Sequence, residues 1–294
     1  PFRSLDFADL PPEVQADRMI EDAGRSQANI DLSKPPLMRV NYYQLGPSRP
    51  QRLLFIFHHL VFDGVSARIF VDDFVNVYIQ LLAGKEINLP LKTSSFKQYS
   101  ERLVETAKAD RIIGQYPYWA RLIGKKYPRL PVDFPGGLNT YGLTEHITVS
   151  LSKVETDALL HRAPPRYKVP TVTILLTAMT RWFAILTGSA EWLVELEGHG
   201  REAIADTPLG SLDVSRTMGW FTTIYPMELG VDLSDSLPGQ VAAISAQLKG
   251  IPDRGIGFGL LKYLSDKPEI PQNLHLIPEP ELNFNYLGQF DQAG

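Results

Sequence analysis

The chain is most constrained at residues 52–64, where a short unbroken apolar run, Arg52-Leu-Leu-Phe-Ile-Phe57, ends in His58-His59-Leu60-Val61-Phe62-Asp63-Gly64. A run that short, without polar alternation, reads as a strand covered on both faces. Val65, Ile69, Phe74, Val77, Tyr78 and Leu81 then recur near helical spacing as far as Gly84, so a helix begins after Asp63, for which a simple N-cap is the plainer alternative to a functional role. Two histidines at a strand end suggest proton chemistry, because an unperturbed imidazole titrates near a pH of roughly 6.5. Successive strand side chains point to opposite faces, so only one of the pair can face a given cavity. One is a candidate catalyst and the other a packed, hydrogen-bonded core histidine; on the plainer reading both are structural.

A second strand runs into a glycine turn at Glu195-Leu-Glu197-Gly198-His199-Gly200-Arg201-Glu202. Glu195 and Glu197 share one strand face by the two-residue period. Gly198 and Gly200 permit positive backbone dihedrals and close approach, as a loop bordering a channel requires. Carboxylates in a strand are either paired or working, and an ion pair with Arg201 or a solvated sheet edge is the alternative to chemistry.

Composition adds exclusions. Twenty-nine basic and 33 acidic side chains leave a net charge of -4 with no basic stripe, which speaks against nucleic acid as partner. The absence of cysteine rules out a disulfide framework, a zinc thiolate site and a cysteine nucleophile. The most apolar stretch, Val172 to Leu186, is 15 residues long and carries Arg181, too short and too polar to span a membrane, so it reads as a helix buried nearly all round. A cytoplasmic, membrane-free protein is expected.

Residues 125–142 contain three prolines and three glycines and read as a linker between a first lobe at 1–124 and a second at 143–294. Helical patterns at 95–108 and 112–123 precede it. A strand at 145–151, helices near 153–160 and 171–186, strands at 192–197 and 221–230, a helix at 237–249 and a final strand near 282–286 follow. Strands and helices on both sides of the linker give two α/β lobes.

Three further segments lie downstream of the glutamates: Arg216-Thr-Met-Gly-Trp220-Phe221-Thr-Thr-Ile-Tyr225-Pro226, Pro252-Asp-Arg-Gly255-Ile-Gly257-Phe-Gly259, and Phe284-Asn285-Tyr286-Leu287-Gly288-Gln289-Phe290-Asp291. In order with residues 58–64 and 197–202, they resemble the motifs of the epimerization domains of nonribosomal peptide synthetases, within the condensation-domain superfamily. The resemblance covers roughly residues 30 to 291. The histidine motif is common to the superfamily, whereas the 197–202, 216–222 and 284–291 segments resemble the epimerase branch. One departure is Ala67, where family members commonly carry Trp.

The resemblance implies two chloramphenicol-acetyltransferase-like lobes in a V around a tunnel, the first lobe incomplete and the second truncated, with His59 in the first and Glu197 in the second. An arginine from the family's opening segment would pair with the counterpart of Asp63; without it, Asp63 is expected to bind helix amides only. The implied reaction is L-to-D epimerization at the α-carbon of an aminoacyl or peptidyl thioester, with His59 and Glu197 as the proton-handling pair. His58, Asp63, Gly64, His199, Arg201 and Glu202 are supporting residues, Asn285 and Tyr286 candidate donors to enolate charge, and Trp220, Phe221 and Tyr225 tunnel lining. Alternatively, Asn285 closes a strand end, Tyr286 packs in the core, and the aromatics are core. His199 would support Glu197 or contact the carrier arm; His146, His161 and His275 receive no role. No cofactor and no metal is expected on the chain, since the substrate would arrive on the 4'-phosphopantetheine of a peptidyl carrier protein. Adenylation and condensation domains would be neighbours.

A condensation domain forming a peptide bond with the same His59, or an inactive platform recruiting a carrier protein, are the rival readings. The spacing of His58 and Asp63 also suits an acyltransferase of phospholipid synthesis or a metal site, but neither explains the four later motifs.

Overall fold

A computed structural model describes residues 1–289; the end of the last motif, Phe290 and Asp291, lies outside the described residues. The chain forms two compact units, Pro1–Phe96 with Asp213–Phe221, and Lys97–Leu212 with the chain from Thr222 onward. These boundaries differ from the composition shift at 125–142, which lies wholly within the second unit. Prolines and glycines mark exposed backbone, whereas a compact unit is defined by long-range packing.

In the first unit β1 (Phe2–Asp6), α1 (Pro12–Ala28), β2 (Met38–Gln44), β3 (Arg52–Phe57) and α2 (Gly64–Leu82) follow one another. The sheet order is β1-β2-β3, with β1 parallel and β3 antiparallel to β2. Phe55 and Phe57 of β3 pack edge-on against Phe70 of α2, and Phe62 stacks on Phe57 at 4.0 Å between centroids. Under α1 the buried Asp22 carboxylate accepts from Asn41 (2.8 Å) and Tyr43 (3.0 Å) and pairs with Arg3 (2.9 Å). Burial raises the Tyr43 hydroxyl above its usual range.

The second unit contains α3 (Phe96–Thr106, whose first residue belongs to the first unit), α4 (Asp110–Ile113), α5 (Tyr116–Ala120), α6 (Lys153–Asp157), α7 (Ala163–Tyr167), α8 (Thr171–Thr187), β4 (Glu191–Gly198), β5 (Thr223–Gly230), α9 (Leu237–Lys249), α10 (Ile256–Gly259), α11 (Glu269–Leu274) and β6 (Asn283–Phe284). The helix expected at 112–123 is two short pieces, because Gly114 and Pro117 interrupt it. The sheet order is β5-β4-β6, with β5 antiparallel and β6 parallel to β4. Trp119, Trp192, Leu176, Leu229 and Ile244 fill the core.

Two expectations are corrected here. Helix α8 is not buried all round: Leu176, Thr180 and Phe183 face inward, while Trp182, Ile185 and Leu186 are exposed. Its apolar residues lie on both faces, and the inward face also carries Thr177 and Thr180, whose hydroxyls are returned to carbonyls one turn back. The strand expected at 145–151 does not form, and Ile147 and Val149 are 91% and 86% exposed. Alternation alone supplies no backbone partner, and among the described residues no strand pairs with this segment. Among the described residues no single helix is long and apolar enough to cross a membrane.

Candidate functional site

In the first unit, β3 ends at Phe57 and His58 caps a single 3-10 turn, His59–Val61. The His58 Nδ1 accepts the Leu60 backbone N–H at 3.2 Å, which occupies that nitrogen and leaves Nε2 as the protonated one in the neutral ring. His58 is half-buried and serves as a turn cap, so it is not the core histidine expected from strand alternation; the strand has already ended. His59 is exposed, and its ring meets the Trp220 ring edge-on at 5.8 Å.

Asp63 caps α2 and is 5% exposed. One oxygen accepts the Ser66 N–H at 2.7 Å, and the other accepts the Phe221 N–H at 3.1 Å. The expectation that Asp63 would hold helix amides alone is therefore corrected. Ser66 fastens the same segment, its hydroxyl donating to the Gly219 carbonyl and accepting the Gly219 N–H, both at 3.0 Å. Arg216 bonds Asp73, and Ser94 pairs its backbone with Asp213. Asp63 and Ser66 thus tie down Gly219–Phe221 and place Trp220 against His59. Gly64 opens α2, and a Cβ on it would meet nothing within 4 Å, so its place here imposes no steric demand.

In the second unit, β4 carries Glu195 and Glu197 on one face, as the period requires. Their partners are amides from β6 and the residue after it: Asn283 donates to Glu195 at 3.0 Å and Asn285 to Glu197 at 2.6 Å. Asn285 therefore faces the half-buried Glu197 carboxylate, while Tyr286 is exposed rather than packed in the core.

Beyond Glu197, the glycines differ in purpose. Gly200 takes a positive φ of 66°, and its carbonyl accepts the Tyr99 hydroxyl at 2.9 Å. Gly198 has ordinary dihedrals but no room for a side chain, since a Cβ there would lie 2.8 Å from Thr223 Oγ1. His199 closes the turn rather than supporting Glu197: Nδ1 accepts the Arg201 N–H at 3.1 Å, and Nε2 lies 3.3 Å from Glu202. Arg254 stands 4.0 Å from the same Glu202 oxygen.

Of the expected tunnel lining, only Trp220 is substantially exposed. Phe221 is 2% exposed with its ring edge-on to Phe96, and Tyr225 is 7% exposed. Both belong to the cores of their units. Burial, with the Glu202 charge nearby, pushes the Tyr225 hydroxyl up to about 12. A concavity of about 820 Å3 in the second unit opens by Glu191 and Gly230. That is the far end of β4 from Glu197, roughly 20 Å away by strand rise. Sequence reasoning missed Tyr99 and Ser66; Tyr99 lies in no recognisable motif, while Ser66 follows Gly64 by two residues.

A family model described as "Condensation domain" matches residues 3–294. A linear gramicidin synthase component from Brevibacillus parabrevis is 40% identical over 295 residues, covering 100% of this chain and 6% of that protein. Surfactin synthase subunit 1 of Bacillus subtilis is 38% identical over 277 residues, covering 94% and 8%. The chain thus spans a small fraction of these relatives. Among solved structures, the epimerization domain from the third module of tyrocidine synthetase B superposes with a TM-score of 0.89 at 34% identity, covering 100% of this chain and 65% of that one. The first condensation domain of the calcium-dependent antibiotic synthetase gives 0.64 at 18% identity and shares the fold alone. The expected mixed α/β architecture is therefore that of condensation and epimerization domains.

Proposed function

Because the chain belongs to the condensation-domain family of nonribosomal peptide synthetases, we propose that it inverts the α-carbon of an aminoacyl or peptidyl thioester held on a carrier protein. The observation that carries this reading is the 2.6 Å hydrogen bond from Asn285 to Glu197, because it joins two of the motifs that resemble the epimerase branch around one carboxylate. The likeness to the tyrocidine synthetase epimerization domain supports it.

Inversion removes a proton from one face of the α-carbon and returns one to the other. Adjacent thioester character acidifies that proton, and the two electrons of the C–H bond pass into an enolate until reprotonation. Glu197, fixed by Asn285, is the base in one direction, and His59, flanked by Trp220, gives the proton that returns the enolate's electron pair to a C–H bond; in reverse the roles exchange. His58 cannot share this work through Nδ1, which holds the Leu60 amide. The thioester arm is the partner's phosphopantetheine, and the carrier protein is the partner.

The test loads aliphatic, aromatic and polar aminoacyl groups as thioesters on a phosphopantetheinylated carrier protein in heavy water. Deuterium enters the α-carbon of at least one with loss of chirality, and His59→Ala and Glu197→Gln each slow it by a factor of about 100 to 10,000. Dipeptide formation with an amine acceptor and no exchange would identify a condensation enzyme instead, and carrier binding without either reaction a recruiting platform.

A further inference from the structure

Three successive residues of the second unit, Asp253, Arg254 and Gly255, have positive φ angles of 40°, 54° and 90°. Left-handed backbone at two non-glycine residues in a row is unfavourable and persists only where the surroundings over-determine it. The surroundings here are specific. Arg111 holds the Asp253 carboxylate with two bonds, 2.5 Å and 3.1 Å, and Gln115 adds a third at 2.7 Å. Gln115 fits because Gly257 has no side chain: a Cβ there would lie 1.9 Å from the Gln115 oxygen.

The held turn bears on the end of β4. The Arg254 carbonyl lies 3.7 Å from the position a Gly198 Cβ would take, and the Gly255 backbone packs on the Tyr225 ring, 2.1 Å from where its own Cβ would be. Gly198 is the residue after Glu197. We propose that Asp253, clamped by Arg111 and Gln115, is a positioning residue for Glu197: it locks the left-handed turn that backs Gly198 and so fixes where the Glu197 carboxylate points. This rests on the reading of Glu197 as a proton-handling group.

The test uses Arg111→Met, Arg111→Lys and Asp253→Asn, the last chosen because asparagine tolerates left-handed backbone and keeps the side-chain shape. Two quantities are read: the kcat and KM of α-proton exchange on the best carrier-bound thioester, and amide hydrogen exchange at residues 198–201. Arg111→Met is expected to lower kcat on the order of tenfold with KM unchanged. It should also speed amide exchange at 198–201 relative to the rest of the sheet, and Arg111→Lys should recover part of both. Folded variants with unchanged kcat and unchanged protection at 198–201 would overturn the clamp, as would losses that merely follow the global unfolding temperature. If Arg111→Met does not fold, Asp253→Asn carries the test. Absence of α-proton exchange in the wild type would overturn the isomerase reading alone, while amide exchange still decides whether the clamp fixes the turn.

Discussion

At the level of single residues, the roles separate into groups that would touch the reacting centre and groups that hold them. Asn285→Ala removes the amide that orients Glu197, and a fall in exchange rate of roughly tenfold with intact fold is the expected outcome, read in the same heavy-water assay. Gly198→Val should abolish activity through collision with Thr223, since its dihedrals are ordinary. Gly198→Ala with Thr223→Ala should therefore recover activity that Gly198→Ala loses, a rescue that dihedral strain would not allow. The placement of His59 just past β3 and of Glu197 near the end of β4 was legible from sequence, because strand ends and glycine turns leave a clear pattern. The anchors were not: Ser66 meets Gly219 across 153 residues and Tyr99 meets Gly200 across 101, separations that no local spacing encodes.

At the level of elements, two junctions carry distinct energetics. The N-terminus of α2 is fastened by Asp63, whose carboxylate satisfies one amide of its own helix and one of Phe221. Asp63→Ala loses the cap and leaves a second amide without its acceptor, a cost of about 2 kcal/mol, visible as a thermal midpoint lower by several degrees. Trp220 emission should shift in the same variant, because its segment is released. The second junction is on β5, where Glu228 accepts from Lys125 and Tyr127, both at 2.6 Å. Burial is the largest single influence and pushes the Glu228 carboxyl up, but these two bonds together with the Lys125 and Arg121 charges outweigh it and leave it below its ordinary value of 4.5. A carboxyl depressed in the folded state contributes stability that is present above its unfolded value and lost as pH falls through the folded one. Glu228→Gln should therefore narrow the gap in thermal stability between neutral pH and pH values below 4.5, measured by calorimetry across that range. Most element positions were readable from periodicity, including α2, α8, β4 and α9. The failures at 112–123 and 145–151 have different causes, a proline and glycine inside a helical pattern in the first and a missing strand partner in the second.

Across the whole molecule, the polypeptide leaves the first unit after Phe96, returns for Asp213–Phe221 and leaves again. The exposed stretch at 132–151, where Phe134, Tyr141 and Ile147 are almost fully solvent-facing, lies inside the second unit and not at either crossing. Limited proteolysis followed by mass spectrometry should cut first within 132–151 and leave β3 and α2 intact; early cuts inside β3 or α2 would contradict the compactness of the first unit. Sequence by itself determined the α/β class, the strand-end positions of His59 and Glu197 and the family resemblance, because those depend on periodicity and on short runs of chemistry-bearing residues. Only tertiary structure decided which atoms those residues are bonded to. Asp63 turned out to hold Phe221, Asn285 to hold Glu197, and Asp253 to be clamped by Arg111, since hydrogen-bond partners distant in the chain are chosen by packing and not by local pattern.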